Sequence, residues 1–511
     1  MSFLQFFLLI MFFSIDARHN ANAVKHPSFH IEEATIPQIQ SEFKAGRLNS
    51  TSLVQFYLHH IRKLNPQLHA VIEVNPDALL LAKKADAERL RAGGVLLGGL
   101  HGIPVLVKDN IASKDKLNTT AGSFALLGSK VPRDAGVISK LRKAGAIILG
   151  KASLSEWANF RSSNASNGWS GRGGQPKNPY VFTADPCGSS TGSAVGVSAN
   201  MVAVSLGTET DGSILCPSSN NGVVGIKPTV GLTSRAGVIP ISHTQDTVGP
   251  ICRTVTDAVY LLDEIVGYDV NDHKATRSAA QFIPKGGYKQ FLKTEGLQGK
   301  RLGIVRDTSL PPTSAEAISF ENHLAILREK GATLVENDNI SNFLSLSSNG
   351  EPEHIVLEYE FKHDLNIYLS ELLQSPVRSL ADIISFNKQH ATEEKLSEYG
   401  QEQFLQSQNT TGLKAQPYIK ALKRNRMLTK TGIDKVLKSY KLDALVSSLQ
   451  STSVLAIAGY PGISVPAGYD SNGVPFGIIF GGGRGSESTL IEIAYAFEQA
   501  TKVRKVPPLS R

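Results

Sequence analysis

The chain has 511 residues, with 53 Lys and Arg against 45 Asp and Glu, a formal net charge of +8. The basic excess is dispersed. Its densest cluster, Lys420, Lys423, Arg424, Arg426 and Lys430, has the spacing of a solvated helical face and lacks the interleaved aromatics that stack bases, which argues against nucleic acid as a partner. Three cysteines cannot staple a chain of this length and read as buried small residues, with Cys187 and Cys216 the pair to join if an oxidising compartment joins any. Thirteen histidines hold no metal-ligand spacing, so no metal is expected.

In chain order, the apolar run Phe3–Ile15 followed by Ala21-Asn-Ala23 reads as a secretory signal peptide, residues 1–23, leaving a mature chain of 24–511. No later stretch is long and apolar enough for a membrane span. Sequons begin at Asn49, Asn118, Asn164, Asn339 and Asn409, which permits a glycoprotein. Thr35 caps a helix with Pro37 in its first turn; further helices follow Asn49 and span Asp77–Arg91. Val105–Val107 is a strand, Gly136–Lys143 a helix feeding the strand Ala146–Leu149, and Ala194–Asn200 a helix feeding Met201–Leu206. Arg301–Val305, Ser314–Lys330 and Thr333–Val335 repeat the alternation; 356–440 is helical, Asp443–Val446 and Ile463–Val465 are strands, and Glu487–Ala500 is the last helix. This order predicts a single large α/β domain. Its mixed, mostly parallel central sheet would be covered by helices on both faces, with no linker dividing it.

Two serines, Ser189 and Ser213, stand on small-residue turns either side of an apolar stretch. A lysine, Lys108, ends the β-branched run Gly102-Ile-Pro-Val-Leu-Val. A buried lysine can lose its proton and act as a base, and a serine hydroxyl needs such a base to become a nucleophile. Successive backbone N–H groups at Thr210, Asp211 and Gly212 can hold an oxyanion. Two rival motifs fail. Gly188-Ser-Ser190-Thr-Gly192 matches a nucleophile elbow, but Ala184-Asp-Pro-Cys187 is a poor strand and no histidine follows His390. Gly145–Lys151 resembles a P-loop, but Ala152 stands where Ser or Thr must hold magnesium.

The block Gly188-Ser-Ser-Thr-Gly…Gly207-Thr-Glu-Thr-Asp-Gly-Ser213-Ile…Asn221-Gly-Val-Val-Gly-Ile-Lys-Pro-Thr229 resembles the amidase signature family. The likeness extends through Gly102–Asn110, Thr119–Gly122, Gly150–Ser153 and Gly459–Pro466. It covers roughly residues 34–505, with a signature core at about 100–260 and a variable helical substrate region at about 285–440. Glu156–Arg161 and Asn167–Gly174 look most like the peptide amidase branch. The resemblance implies a cofactor-free serine hydrolase of carboxamides, with Ser213 as nucleophile, Ser189 on a cis peptide as proton relay, and Lys108 as base. By register, Ser163 falls at a substrate-side position of the fatty acid amide hydrolase branch. Asp211 departs from the glycine of many members, and Thr191 and Ser193 replace glycine-like positions, which puts the turn's dihedrals in question. The expected partner is a small-molecule or peptide amide, with monomer and homodimer both open. The rival readings are a non-catalytic binding protein on the same scaffold and the A chain of a tRNA-dependent amidotransferase.

Overall fold

Six strands are buried at every residue: Pro104–Lys108 (β2), Ile147–Ala152 (β3), Val204–Glu209 (β4), Val224–Lys227 (β5), Thr247–Cys252 (β6) and Ala444–Ser447 (β9). Successive strand side chains point to opposite faces, so unbroken burial means that both faces of this sheet are covered. Val71–Val74 (β1), Arg301–Val305 (β7), Thr333–Val335 (β8), Gly462–Tyr469 (β10) and Pro475–Gly481 (β11) complete it. The eleven strands run in the order β1-β3-β2-β4-β6-β5-β10-β11-β9-β7-β8. The structure, a computed structural model, describes residues 29–95, 97–306, 310–337, 350–448 and 452–510. The signal-peptide segment and the Asn339 sequon lie outside these. The described residues from Ile31 onward form one body, and among the described residues no helix is long and apolar enough to cross a membrane.

The sheet is mixed, as expected, but its balance is not mostly parallel. β2 pairs with β3 and β4, and β7 with β8 and β9, in parallel. The other pairings, six of them, are antiparallel. Each antiparallel pairing uses β1, β5, β6 or β11, the strands that carry no clear strand pattern in sequence. Pro250 interrupts β6, and glycines and a leading proline dilute β11; both residue types ordinarily argue against a strand.

The parallel trio β3-β2-β4 places the site. Lys108 is the last residue of β2 and lies beside the end of β4, where Val107 pairs with Leu206. The helix Thr191–Ser198 is buried along its whole length and packs on β2, β3, β4 and β6. Gly192 is required there: a Cβ would come within 2.4 Å of the Ser153 backbone nitrogen. This close seat fixes the height of the preceding turn, Gly188–Ser190, above the end of β2.

Candidate active site

Lys108 is fully buried, and its Nζ reaches Ser189 Oγ at 2.7 Å, Ser190 Oγ at 2.9 Å and the Thr208 carbonyl at 3.0 Å. Ser190 Oγ itself donates to the Thr208 carbonyl, so it must accept from the lysine. A neutral amine has two N–H donors and one lone pair. Thr208 O and Ser190 Oγ take the two donors, which leaves the lone pair for the hydroxyl proton of Ser189. Burial pulls the Lys108 ammonium down to about 7, with Glu209 and Asp246 opposing the shift. The motif reading does not single out Ser190 as a lysine partner; its adjacency to Ser189 and its place at the start of a buried helix are the signals that point to it. The Gly188–Ser189 peptide is cis.

Ser213 sits one turn away, 8 % exposed where Lys108 and Ser189 are closed off. The backbone N–H of Ser190 donates to the Ser213 carbonyl at 3.2 Å, joining the two serine turns. A disulfide between Cys187 and Cys216 joins them covalently, so these cysteines are paired and only Cys252 is free. Glu209, at the end of β4, accepts from the Ile214 and Leu215 N–H groups at 2.6 and 2.9 Å and so anchors the far side of the Ser213 turn. The N–H groups of Thr210, Asp211 and Gly212, the expected set, and that of Ser213 beside them donate to no group among the described residues. The left-handed position of this turn falls on Gly212, at φ 73°, while Asp211 keeps an ordinary negative φ. The Asp211 side chain therefore costs the turn no backbone strain. It is bonded instead to Ser453 Oγ at 2.6 Å.

The segment after β3 makes a left-handed turn of three non-glycine residues, Trp157, Ala158 and Asn159, at φ 52°, 55° and 73°. Such a conformation costs roughly 1–2 kcal/mol per residue and persists only where the surroundings over-determine it. The surroundings here are specific. Trp157 is 2 % exposed and meets Phe404 edge-on, and its backbone N–H donates to the Ala121 carbonyl. Arg161, with Glu156 and Glu394, forms a cluster closed to solvent. Burial and the neighbouring Glu394 carboxylate push Glu156 well above the usual carboxylate range. Ala158 lines a small cavity with Asn110, Thr208 and Thr210, which puts this turn beside Thr208, the residue whose carbonyl Lys108 reaches. Ser163 is exposed, and its hydroxyl and N–H both bind Glu402, at 2.9 and 2.7 Å. Among the described residues, no hydrogen bond joins it to Lys108, Ser189 or Ser213.

The Amidase family profile matches residues 52–454. A protein described as a probable amidase from Arabidopsis thaliana is 59 % identical over 94 % of this chain and 92 % of its own length. The crystal structure of the peptide amidase from Stenotrophomonas maltophilia superposes with a TM-score of 0.88 at 43 % identity, covering 95 % of this chain and all of that one. Identity drops to 32 % for the A chain of the glutamyl-tRNA(Gln) amidotransferase from Thermosynechococcus vestitus, over 93 % of this chain and 99 % of that one, so the amidotransferase reading is the more distant. A buried lysine under two hydroxyls, beside a turn whose N–H groups have no acceptor among the described residues, is thus found within a relationship that spans nearly the whole chain, which belongs to the amidase family, hydrolases of carbon–nitrogen bonds in amides.

Proposed function

We propose that Ser213 is the nucleophile, Ser189 the proton relay and Lys108 the base of a two-step acyl-enzyme reaction. Neutral Lys108 takes the Ser189 proton as Ser189 takes that of Ser213, and Ser213 Oγ bonds to the amide carbon. The N–H groups of Asp211, Gly212 and Ser213 receive the developing oxyanion. The proton returns through Ser189 to the leaving nitrogen, the C–N bond breaks, and water then releases the acid from Ser213 by the same relay. The observation that carries this reading is the 2.7 Å contact between Lys108 Nζ and Ser189 Oγ in a site closed to solvent.

For substrate, the reading favoured by the 43 % identity to a peptide amidase is the C-terminal carboxamide of a peptide, or a small aryl or aliphatic amide. A panel of amidated peptides, fatty amides and phenyl acetamides, run with Ser213→Ala as control, tests it. Turnover of fatty amides alone would overturn the peptide reading. The Phe3–Ile15 run and Ala21-Asn-Ala23 support export and cleavage, so the mature protein should begin near Val24. N-terminal sequencing of the native protein that finds residues 1–23 retained would reject this. Of the sequons, Asn49, Asn164 and Asn409 are exposed. Asn49 already spends its side-chain oxygen on the Ser52 N–H as a helix cap, so Asn164 and Asn409 are the acceptors proposed for glycans.

A further inference from the structure

The helix Glu351–Glu371 belongs to the region where the sequence loses its motifs, yet one stripe of it holds the consecutive residues Ser242, His243, Thr244 and Gln245 of the loop before β6. Glu353, Glu360 and Asp364 are seven and four residues apart, which places them along one helical face. Glu360 accepts from the hydroxyls of Ser242 and Thr244, and from the Thr244 N–H at 3.2 Å. Asp364 accepts from the His243 N–H at 3.0 Å and pairs with its Nδ1 at 2.8 Å. Glu353 Oε1 accepts from Gln245 Nε2 at 2.7 Å.

The loop in turn holds Thr210 from two sides. Gln245 Nε2 reaches the Thr210 carbonyl at 3.4 Å, and Asp246 Oδ1 accepts from Thr210 Oγ1 at 2.6 Å. The second Asp246 oxygen accepts from the Ile241 and Ser242 N–H groups at 2.8 and 2.9 Å, which stiffens the loop itself. Gln245 is 1 % exposed, so water does not compete for its amide.

The peptide between Thr210 and Asp211 is one rigid plane with its C=O and N–H pointing in opposite directions. A donor that fixes the Thr210 carbonyl therefore also fixes the aim of the Asp211 N–H, which donates to no group among the described residues. We propose that Gln245 and Glu353 are positioning residues for the reaction: through them, the helix Glu351–Glu371 sets the tilt of the peptide that presents the Asp211 N–H to the oxyanion. The inference rests on the assignment of Ser213 and its turn as the reacting site. It places part of the catalytic alignment under the control of a helix outside the motif-bearing core. Glu353 needs no charge for this task, since a neutral amide or acid carbonyl oxygen also accepts from the Gln245 amide.

The test compares Gln245→Ala, Glu353→Ala and Glu353→Gln with the wild type on a peptide carboxamide. Misaiming one oxyanion donor should lower kcat about 10- to 100-fold and leave KM within about twofold, because the N–H meets charge only in the transition state. A peptide aldehyde, which adds to Ser213 as a tetrahedral adduct, should bind more weakly by the same factor, while the product acid binds as before. Glu353→Gln should restore kcat to within about threefold. Folded Gln245→Ala and Glu353→Ala proteins with wild-type kcat, or with a loss confined to KM, would overturn the proposal. If Glu353→Ala does not fold, Gln245→Ala and the rescue by Glu353→Gln decide it alone. Ser213→Ala separates the two levels: if that variant still turns over, the assignment of the reacting turn is wrong; if it is inactive while Gln245→Ala is unaffected, only the positioning role is lost.

Discussion

Lys108 Nζ lies 2.7 Å from Ser189 Oγ although the two residues are 81 positions apart and enter from different elements, one ending a strand and the other preceding a helix. The contact has a pH signature. Only the neutral amine can take the Ser189 proton, and the amine is held at about 7. The rate should rise as pH passes upward through about 7, and Lys108→Ala should lower kcat severely and remove that acid limb. The stability sign follows from the same shift. The unfolded lysine, near 10.5, binds its proton where the folded one does not, so this group destabilises the fold fully below pH 7 and progressively less up to about 10.5. A kcat–pH profile of the two proteins checks the first point. An unchanged acid limb in Lys108→Ala would remove lysine as the base.

Ser190 should behave differently from Ser189. Its hydroxyl donates to Thr208 O and accepts from Lys108, so it orients the amine and holds no proton in transit. Ser190→Ala should lower kcat by about 10- to 100-fold and leave an alkyl fluorophosphonate probe attached to Ser213. Ser213→Ala should abolish both turnover and labelling. Mass mapping of the probe on Ser190 instead would return the case to a nucleophile elbow.

The Cys187–Cys216 bridge closes a loop with a sequence separation of 29 that contains both serine turns. Loop-closure entropy alone assigns it about 3–4 kcal/mol. Replacing both cysteines by serine, or treating with a dithiol reductant, should lower Tm by several degrees and reduce kcat, since the two serine turns then lose their covalent tie and keep hydrogen bonds such as that of the Ser190 N–H to the Ser213 carbonyl. Equal Tm and equal activity with and without reductant would contradict this.

Arg161 stands between the buried carboxyls Glu156 and Glu394. Removing it leaves two acids without their cation, a loss typically of about 3–5 kcal/mol. Arg161→Ala should be strongly destabilised in urea unfolding. Part of the loss should return at mildly acid pH, because the proton affinity of Glu156 is already raised by burial and by the Glu394 carboxylate, and its protonation removes one of the two charges. A destabilisation below about 1 kcal/mol would mean that the cluster does not hold the left-handed turn.

The strands of the parallel half of the fold could be read from residue order alone, whereas Lys108, Ser189 and Ser213 were singled out by their resemblance to a family motif. The helix Gly136–Lys143 and the strands Arg301–Val305 and Thr333–Val335 have the bounds their patterns predict, because each is a periodic run with a clean turn on either side. β1, β5, β6 and β11 were illegible for a physical reason. They are short or carry Pro and Gly, and what makes them strands is a neighbour already in place beside them, information that no local window contains. Residues 157–159 coil left-handedly and bring Ala158 to the cavity it shares with Thr208 and Thr210, a placement that no local window contains either.

The division of labour at Asp211 and Gly212 bears on how this turn tolerates change. A peptide N–H is supplied by any residue but proline, so position 211, with its unremarkable φ, can vary in side chain without loss of the donor, whereas position 212 is restricted by its backbone angle. Asp211 uses that latitude to grip Ser453, in a helix more than two hundred residues later. Mutational drift at such a site can add new long-range ties to a reacting centre while leaving the reaction's own atoms untouched.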